Sequence, residues 1–480
     1  MASDTKQSPG ASAYTLLALL TAINVILIAG SLQWPMPNDA GVFHFAASQF
    51  LQGAVPYRDL VEMNQPLIYW LHEGILLLGG AGDATFRIFD LLCTALVAIS
   101  VFVFCASAGT FAGLIGAAFL VMMHLTFGMG SAGQRDFFML IPLLAAAVIS
   151  VRSAEAGKRA GLTFLLSGAL IGVACLIKPT AALAAIIPFA AAGRLRVRDV
   201  AFFAVGGLLI ATPAAIQLLT NGGLQALLAI WSEHGLIYSQ LEAQPVWKLA
   251  LTLLSWCLRL SGFVLAAAIA FKFQANPRMR AALALAVFGA AHILVQRKGY
   301  YYHAYPLICG IVLAGTIGLP RLQKSAAFAC ILMISAFTAW RAAPPIVHGL
   351  ARSENENTSL ATAAMERALS QHFARGSKVQ VLDSDSGGFL AMARVGMKQA
   401  TPHIYWFLVL NRDEAFRNGF IARLQEAQPD GFLITESQWP VGRGFEGFER
   451  FSELMRFVDD SYKEVESESG WRIYKRKPII

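Results

Sequence analysis

Eleven apolar stretches dominate this chain of 480 residues and leave few alternatives for its fold. A hydrocarbon core about 30 Å thick takes about 20 apolar residues per helix, and such runs recur until about residue 340. The sequence therefore predicts a polytopic α-helical membrane protein. The expected spans are roughly 13–33, 86–107, 110–127, 136–151, 161–177, 180–193, 200–220, 247–270, 281–295, 304–319 and 325–340.

The charges of the connecting segments give these spans a direction. Every second connection is short and basic: Arg152–Arg159, Arg194–Arg198, Lys272–Arg280 and Arg321–Lys324. Short basic loops stay in the cytoplasm, so the remaining connections face outward. We expect a cytoplasmic N-terminus and, with an odd number of spans, an outer C-terminus. The stretches 161–177 and 180–193 are either two spans or one re-entrant hairpin, and both place Lys178 near the outer surface.

Composition changes near residue 340. Residues 341–480 hold 18 basic and 18 acidic residues, whereas the preceding part holds 20 and 12 and so carries the whole net charge of +8. The basic excess reflects membrane topology and gives no argument for nucleic acid. We predict a transmembrane domain at 1–340 and a soluble domain at 341–480. None of the six cysteines shows metal-site spacing, and all lie in apolar spans.

The soluble tail alternates between strand and helix patterns. Val379–Asp383 and Gly431–Thr435 are short apolar runs typical of buried strands, and Tyr462–Lys475 predicts a hairpin around Ser469-Gly470. Helical patterns lead to Arg394 and cover residues 413–427. The tail is therefore predicted to be a small α/β domain outside the membrane.

The longest outer connection of the membrane region runs from Trp34 to about Phe86. Residues 40–52 and 67–78 carry apolar side chains at helical spacing with few charges, so we expect two helices along the membrane interface. Asp39 stands at the start of the first helix. It is either a helix N-cap, a role it would share with Asn38, or a functional carboxylate at the membrane surface.

Further polar residues of this connection have two interpretations. They are Tyr57, Arg58, Asp59, Glu62, Asn64 and Gln65. They could form turns with a solvated ion pair. Alternatively, the amides bind a polyhydroxylated ligand, because each amide both donates and accepts hydrogen bonds.

The later outer connections add a second set of candidates: Arg135, Asp136, Lys178, Arg297, Lys298 and His303. Two cations together on the outer side run against the usual charge bias, which favours a functional role for Arg297 and Lys298. Arg259 falls inside the span 247–270, where an arginine is costly. It is predicted either to bind a ligand anion or to form a buried pair with Asp90.

With these residues the chain resembles the GT-C membrane glycosyltransferases, in particular bacterial relatives of protein O-mannosyltransferases and of lipid A aminoarabinose transferases (a family 39-like pattern). The matching features, in chain order, are Asp39, Gly53–Asp59, Gln65–Tyr69, Arg87, Arg135-Asp136 and Leu176–Pro179. The first loop departs from the protein mannosyltransferase pattern, because Asn38-Asp39 provides one acid where those enzymes have an adjacent acidic pair. This departure weakens the case for a protein acceptor.

The resemblance implies sugar transfer from a polyprenyl-phosphate donor to a lipid, glycan or protein acceptor on the outer face of the cytoplasmic membrane. Asp39 would be the general base. The developing charge of the leaving phosphate would be met by Arg58, Lys178, Arg297 and Lys298, with a hydrogen bond from His303. The other candidates would bind substrate: Tyr57, Asp59, Glu62, Asn64, Gln65, Arg135, Asp136 and Arg259. With so many cations, we expect no cofactor and no required metal ion.

Other functions remain open from the sequence. A transporter or lipid flippase would show inverted repeats and charges along a path through the membrane, and here only Arg259 meets the second demand. A non-catalytic scaffold would have no need for the long, structured first loop. The donor sugar, the acceptor and the oligomeric state do not follow from the sequence.

Overall fold

The computed structural model describes residues 10–157, 160–273, 276–348, 352–383, 386–405, 409–410, 412–436 and 451–478. Within these ranges, seven helices are long and apolar enough to cross a membrane, and one bent helix pair brings the number to eight. Three shorter apolar helices add to them, so each predicted span coincides with an apolar helix or helix pair. The polytopic helical fold is confirmed, with a helix count near the predicted eleven.

The helices of the membrane region and its loops are α1 (Ala11–Ser31), α2 (Asn38–Leu51), α3 (Pro66–Gly79), α4 (Asp83–Cys105), α5 (Thr110–Thr126), α6 (Arg135–Phe138), α7 (Leu140–Glu155), α8 (Ala160–Cys175), α9 (Ile186–Ala192), α10 (Val197–Thr220), α11 (Gly223–Glu233), α12 (Gly235–Gln240), α13 (Val246–Arg259), α14 (Ser261–Phe273), α15 (Pro277–Gln296), α16 (Tyr305–Gly318) and α17 (Lys324–Val347). Helices α2 and α3 agree with the two helices predicted for the first outer connection.

The chain packs into two compact units. The first contains Met1–Trp34, Ile88–Pro213 and Gln244–Ala351, and the second contains Pro35–Arg87, Ala214–Ala243 and Arg352–Ile480. The predicted boundary near residue 340 follows the change in hydropathy. The packing, by contrast, places the first outer connection in the same unit as the C-terminal residues.

Helix α16 forms the centre of the first unit. All of its residues are buried, and it packs against α14, α15 and α5. A side chain at Gly289 of α15 would overlap the backbone of Leu307, so the two helices approach as closely as small residues allow. In lipid, such close packing supplies the attraction that the hydrophobic effect supplies in water. The 3₁₀ turn Tyr301–Ala304, which contains His303, leads directly into this fixed helix.

Helices α13 and α14 meet at a bend of 82°. The span predicted at 247–270 therefore contains a bend, which the sequence did not indicate. Trp247, Leu251, Leu254 and Leu258 are exposed on α13 and share one face at helical spacing. The bent pair is therefore a broken span or a re-entrant loop, with an apolar stripe on its first helix.

The second unit contains a five-stranded sheet formed by β1 (Lys378–Leu382), β2 (Lys398–Gln399), β3 (Gly431–Thr435), β4 (Tyr462–Glu468) and β5 (Trp471–Arg476). The strand order is β2-β1-β3-β5-β4. β1 pairs in parallel with β2 and β3, while β5 pairs antiparallel with β3 and β4. Further helices of the unit are α18 (Arg352–His372), α19 (Gly388–Val395), and the helices at Glu414–Ala427 and Ser452–Ser461. The predicted small α/β domain is confirmed.

The first outer connection packs onto this sheet within the second unit. The Gln49 side-chain amide of α2 donates to Met397 O at 3.0 Å and accepts from Gln399 N at 3.0 Å, so it continues the hydrogen bonding of the edge strand β2. Arg394 of α19 donates to Asp83 Oδ1 at 2.6 Å and to Ala81 O at 2.9 Å. These bonds attach both ends of the connection to the tail.

Two buried histidines join α2 to α3. His44 Nδ1 lies 3.1 Å from His72 Nδ1, and neither residue is exposed. Burial, with Arg394 close by, lowers the pKa of His44 from 6.5 to about 4, and burial lowers that of His72 well below its usual value. Both imidazoles are therefore neutral near pH 7, where one Nδ1 donates to the other.

We predict that acidification destabilises the protein through His44. Its pKa is about 4 in the folded chain and 6.5 when unfolded, so the unfolded chain binds more protons between these values. The free energy of unfolding should fall by about 3 kcal/mol as the pH drops across this window. Denaturant titrations in micelles at about pH 7 and about pH 4 measure this loss. His44→Gln should reduce the loss and His348→Gln, at an exposed site, should not; equal losses in both variants would contradict the assignment.

Candidate functional site

A buried ion pair in the first unit joins two of the predicted site residues. Lys178 Nζ donates to both carboxylate oxygens of Asp136, at 2.9 and 2.7 Å, and the two residues are only 7% and 1% exposed. Asp136 lies in the short helix α6. Lys178 precedes Pro179, which keeps its backbone extended and ends the preceding helix. The pair therefore links two segments that lie 42 residues apart.

Two histidines complete this cluster, which we call the acid–lysine–histidine cluster (Asp136, Lys178, His292 and His303). His292 Nε2, near the end of α15, lies 2.6 Å from Asp136 Oδ1. The His303 ring lies 6.0 Å from the His292 ring, and both residues are buried. Among the described residues, neither Nδ1 atom of the two histidines has a hydrogen-bond partner. The cluster thus combines a neutralised ion pair with buried imidazole nitrogens that have hydrogen-bonding capacity left.

The structure changes the interpretation of Lys178. We predicted a cation near the outer surface, but the ammonium is buried and its charge is offset by Asp136. A charge removed from water costs several kcal/mol unless a partner compensates it, which is why the lysine and the aspartate occur together. Because His292 lies inside an apolar stretch, the sequence analysis missed it. The sequence feature that could have identified His292 is its position four residues before Gln296, on the same helix face at the predicted outer end of α15.

The other predicted cations of the first unit lie in different environments. Arg297 is exposed and adopts a left-handed backbone conformation (φ 56°), and its carbonyl accepts a hydrogen bond from Gln244 N at 2.7 Å. Lys298 is buried, at 6% exposed. Arg135, next to Asp136, is half-buried. The adjacent cations Arg297 and Lys298 therefore differ in their access to solvent.

A second buried network in the first unit was not predicted. Asp90 Oδ1 accepts from Gly133 N at 2.8 Å, and its Oδ2 lies 3.4 Å from His124 Nε2. His124 Nδ1 lies 2.8 Å from the Tyr305 hydroxyl. This chain of contacts connects α4 and α5 to the start of α16, and it fixes the turn that leads into Asp136. His124 and Tyr305 stand singly within apolar spans, so no sequence pattern marked them, and Asp90 was predicted as a partner of Arg259.

Arg259 does not form the predicted buried pair with Asp90. It is exposed, lies at the bend after α13, and its guanidinium stacks 5.2 Å from the Trp256 ring and 5.9 Å from the Trp340 ring. The bend ends α13 at this residue, so Arg259 is not in the middle of a straight span. The alternative prediction, a ligand anion at Arg259, stays a prediction.

The second unit contains Asp39, the predicted general base. Helix α2 begins at Asn38, its N-cap position is Pro37, and no side chain caps it. Neither Asn38 nor Asp39 therefore acts as the N-cap. Asp39 lies in the first helical turn with its side chain exposed, where the helix dipole favours a negative charge. Its charge contributes to raising the pKa of Tyr405, which places the carboxylate near that residue.

Glu62 and Tyr405 form a buried contact beside Asp39. The Tyr405 hydroxyl donates to Glu62 Oε2 at 2.6 Å, while Glu62 Oε1 accepts from Met63 N at 2.6 Å and from the Asn64 side chain at 2.8 Å. Burial and the Glu62 charge raise the pKa of Tyr405 well above 10. Both oxygens of Glu62 are thus engaged by the protein. This geometry suits a residue that holds the loop in place.

The remaining loop residues follow the same pattern. Tyr57 is buried in a left-handed conformation (φ 68°), its hydroxyl donates to Asn64 O at 2.8 Å, and burial raises its pKa well above 10. Arg58 and Asp59 form an ion pair of 2.8 Å near the surface, and the hydrogen bond from Arg58 lowers the pKa of Asp59. Gln65 is buried at the N-cap of α3. The predicted set therefore includes residues that fold the loop as well as residues near its surface.

No metal cluster is found in the part of the chain that the structure describes. None of its His, Cys, Asp and Glu side chains form a group of three or more suited to hold an ion. The expectation that no metal ion is required stays a prediction.

We predict that the Asp136–Lys178 pair is strongly coupled. Lys178→Met leaves a buried carboxylate without its main partner and should lower the free energy of unfolding by about 3–5 kcal/mol. The double variant Lys178→Met with Asp136→Leu should lose much less than the sum of the single losses. Denaturant titrations in micelles measure the cycle. Lys248→Met, at an exposed lysine, is the control; strictly additive losses would show that the pair is not coupled.

Comparisons with known proteins agree with the resemblance. The family described as dolichyl-phosphate-mannose-protein mannosyltransferase matches residues 64–218, a segment that includes Asp136 and Lys178 but begins after Asp39. ArnT from Cupriavidus metallidurans bound to undecaprenyl phosphate has a similar structure, with a TM-score of 0.67, 13% identity, and coverage of 97% of this chain and 98% of that one. The apo structure of the same protein has a TM-score of 0.63 and 11% identity, and the match covers 97% of this chain and 98% of that one. No curated protein matches by sequence. The chain thus has the GT-C fold, and its predicted resemblance to GT-C membrane glycosyltransferases is confirmed.

Proposed function

We propose that this protein transfers a sugar, a hexose or a pentose, from a polyprenyl-phosphate donor to an acceptor on the outer face of the cytoplasmic membrane. The observation that carries the proposal is the ArnT-like fold over 97% of the chain, together with the mannosyltransferase family match at residues 64–218. The similar ArnT structure is described as bound to undecaprenyl phosphate, which supports a lipid phosphate as the carrier of the sugar.

The acid–lysine–histidine cluster is the proposed site for the leaving phosphate. Asp136 holds the Lys178 ammonium in a fixed position, so no reorganisation is needed when negative charge develops on the donor. His303 Nδ1 is buried and makes no hydrogen bond to the described residues, so it remains available to a phosphate oxygen. Lys298, Arg297 and Arg58 are proposed as further donors to the phosphate.

Asp39 is the proposed general base. The acceptor hydroxyl must lose its proton as it attacks the anomeric carbon, and an exposed carboxylate in the first turn of α2 is able to take that proton. Glu62 is less suited, because its side chain is fully buried whereas that of Asp39 is exposed. A single displacement of this kind inverts the anomeric centre. We further propose that Tyr57, Asp59, Asn64, Gln65 and Arg135 bind or position substrate.

We propose that the N-terminus lies in the cytoplasm and the C-terminal residues outside it. The positions of the basic loops support this orientation. The acceptor is a cell-envelope lipid, glycan or protein in this proposal, and no metal ion is required. The transporter alternative is not favoured, because both the matched family and the similar fold are those of glycosyltransferases.

The general-base assignment is tested with purified protein, a panel of synthetic polyprenyl-phosphate sugars and an envelope extract as acceptor. Asp39→Asn keeps the size of the side chain but removes the base, so the release of polyprenyl phosphate should slow by about 10²–10⁴-fold. Binding of the donor, measured separately, should change little because the proposed phosphate donors are intact.

Glu73→Gln serves as the matched control, since it removes a carboxylate from α3 in the same unit. Its release rate should equal that of the wild type. If Asp39→Asn is as active as the wild type, the base assignment is wrong and Asp59, Glu62 and Asp136 become the carboxylates to test.

A further inference from the structure

Two arginines of the first unit lie close together among aromatic rings. Arg259 stacks on Trp256 and Trp340, and the Arg341 guanidinium lies 5.1 Å from the Phe127 ring. The rings are themselves in contact, since Phe127 and Trp256 are 5.8 Å apart. Trp340, on which Arg259 stacks, directly precedes Arg341 in α17.

This arginine pair (Arg259 and Arg341) has no carboxylate partner among the residues that the structure describes. Every ion pair that is found there joins other residues. Arg341 Nε is also buried and lacks a hydrogen-bond partner in the described chain. Two like charges held together repel, and in a membrane protein such charges are rarely left without an anion. The pair is therefore suited to bind an anion that is not part of this chain.

The location of the pair indicates the kind of anion. Helix α17 begins at Lys324, next to a basic loop, and Arg341 lies roughly 25 Å further along the helix axis. This distance is close to the thickness of a hydrocarbon core, so Arg341 lies near the opposite membrane surface. Leu258 and Trp340, which flank the pair, are 65% and 57% exposed, as expected for side chains that face lipid tails. Stacking holds the planar guanidinium groups in place, and their geometry suits bidentate recognition of phosphate.

We propose that Arg259 and Arg341 together bind the phosphate group of an anionic lipid in the outer leaflet. The site shares no residue with the acid–lysine–histidine cluster, and it does not depend on the proposed sugar transfer. Helix α13, with its exposed apolar stripe, provides the surface along which the lipid reaches the pair. The phosphate lies between the two guanidinium groups, and the acyl chains lie against Leu258 and Trp340.

The test is titration calorimetry on the full-length protein in zwitterionic micelles. The probes are dihexanoyl phosphatidic acid, dihexanoyl phosphatidylcholine and inorganic phosphate. We expect the phosphatidic acid to bind most tightly, and the double variant Arg259→Gln with Arg341→Gln to weaken it by at least about tenfold, since hydrogen bonds to two charged donors are lost. The variant Arg259→Lys with Arg341→Lys should give a smaller loss, because it keeps the charges but not the planar fork.

The matched control is Arg196→Gln with Arg198→Gln, which removes the same charge from exposed arginines at the start of α10. It should bind phosphatidic acid like the wild type. The proposal is wrong if the wild type and the glutamine variant bind phosphatidic acid with equal affinity. It is also wrong if the control loses as much affinity as the glutamine variant. If inorganic phosphate binds as tightly as phosphatidic acid, the assignment to a lipid is wrong. If the glutamine variant has a lowered unfolding midpoint, the lysine variant decides.

Discussion

The pairing of Asp136 with Lys178 governs how the first unit presents its polar groups. Neither charge is stable alone in an apolar bundle, and together they join the turn at α6 to the segment after α8. His292 adds a third element through the same carboxylate. Because these contacts are fixed before any substrate binds, the cluster has the preorganisation that stabilisation of a developing charge requires.

In the second unit, the C-terminal residues hold the first loop in its conformation. Tyr405 engages Glu62, Arg394 binds Asp83 and Ala81, and the edge strand binds Gln49. The sequence alone assigned no role to the tail beyond a small α/β domain. These contacts give the tail a definite structural role, since tail residues hold the loop that carries Asp39 in place.

Hydropathy was sufficient to predict the spans, because each segment that crosses lipid must make all of its backbone hydrogen bonds within its own helix. Strand Gly431–Thr435 was also predicted to the residue, since a short apolar run between polar segments is a buried strand. The bend after Arg259 was not predicted, because α13 and α14 are continuous in hydropathy. The Asp136 partner of Lys178 was not predicted, and His124 and His292 were missed, because these contacts join residues 34 to 181 positions apart in the sequence.

If the protein is a glycosyltransferase, the donor lipid is cleaved and not merely moved across the membrane. Purified protein in liposomes that contain a polyprenyl-phosphate sugar, with acceptor extract added, allows both events to be followed by mass spectrometry of the lipids and by the sidedness of the donor. We expect polyprenyl phosphate to be released in an amount equal to that of the sugar transferred, and only when acceptor is present. Redistribution of intact donor across the bilayer without any release of polyprenyl phosphate would contradict it.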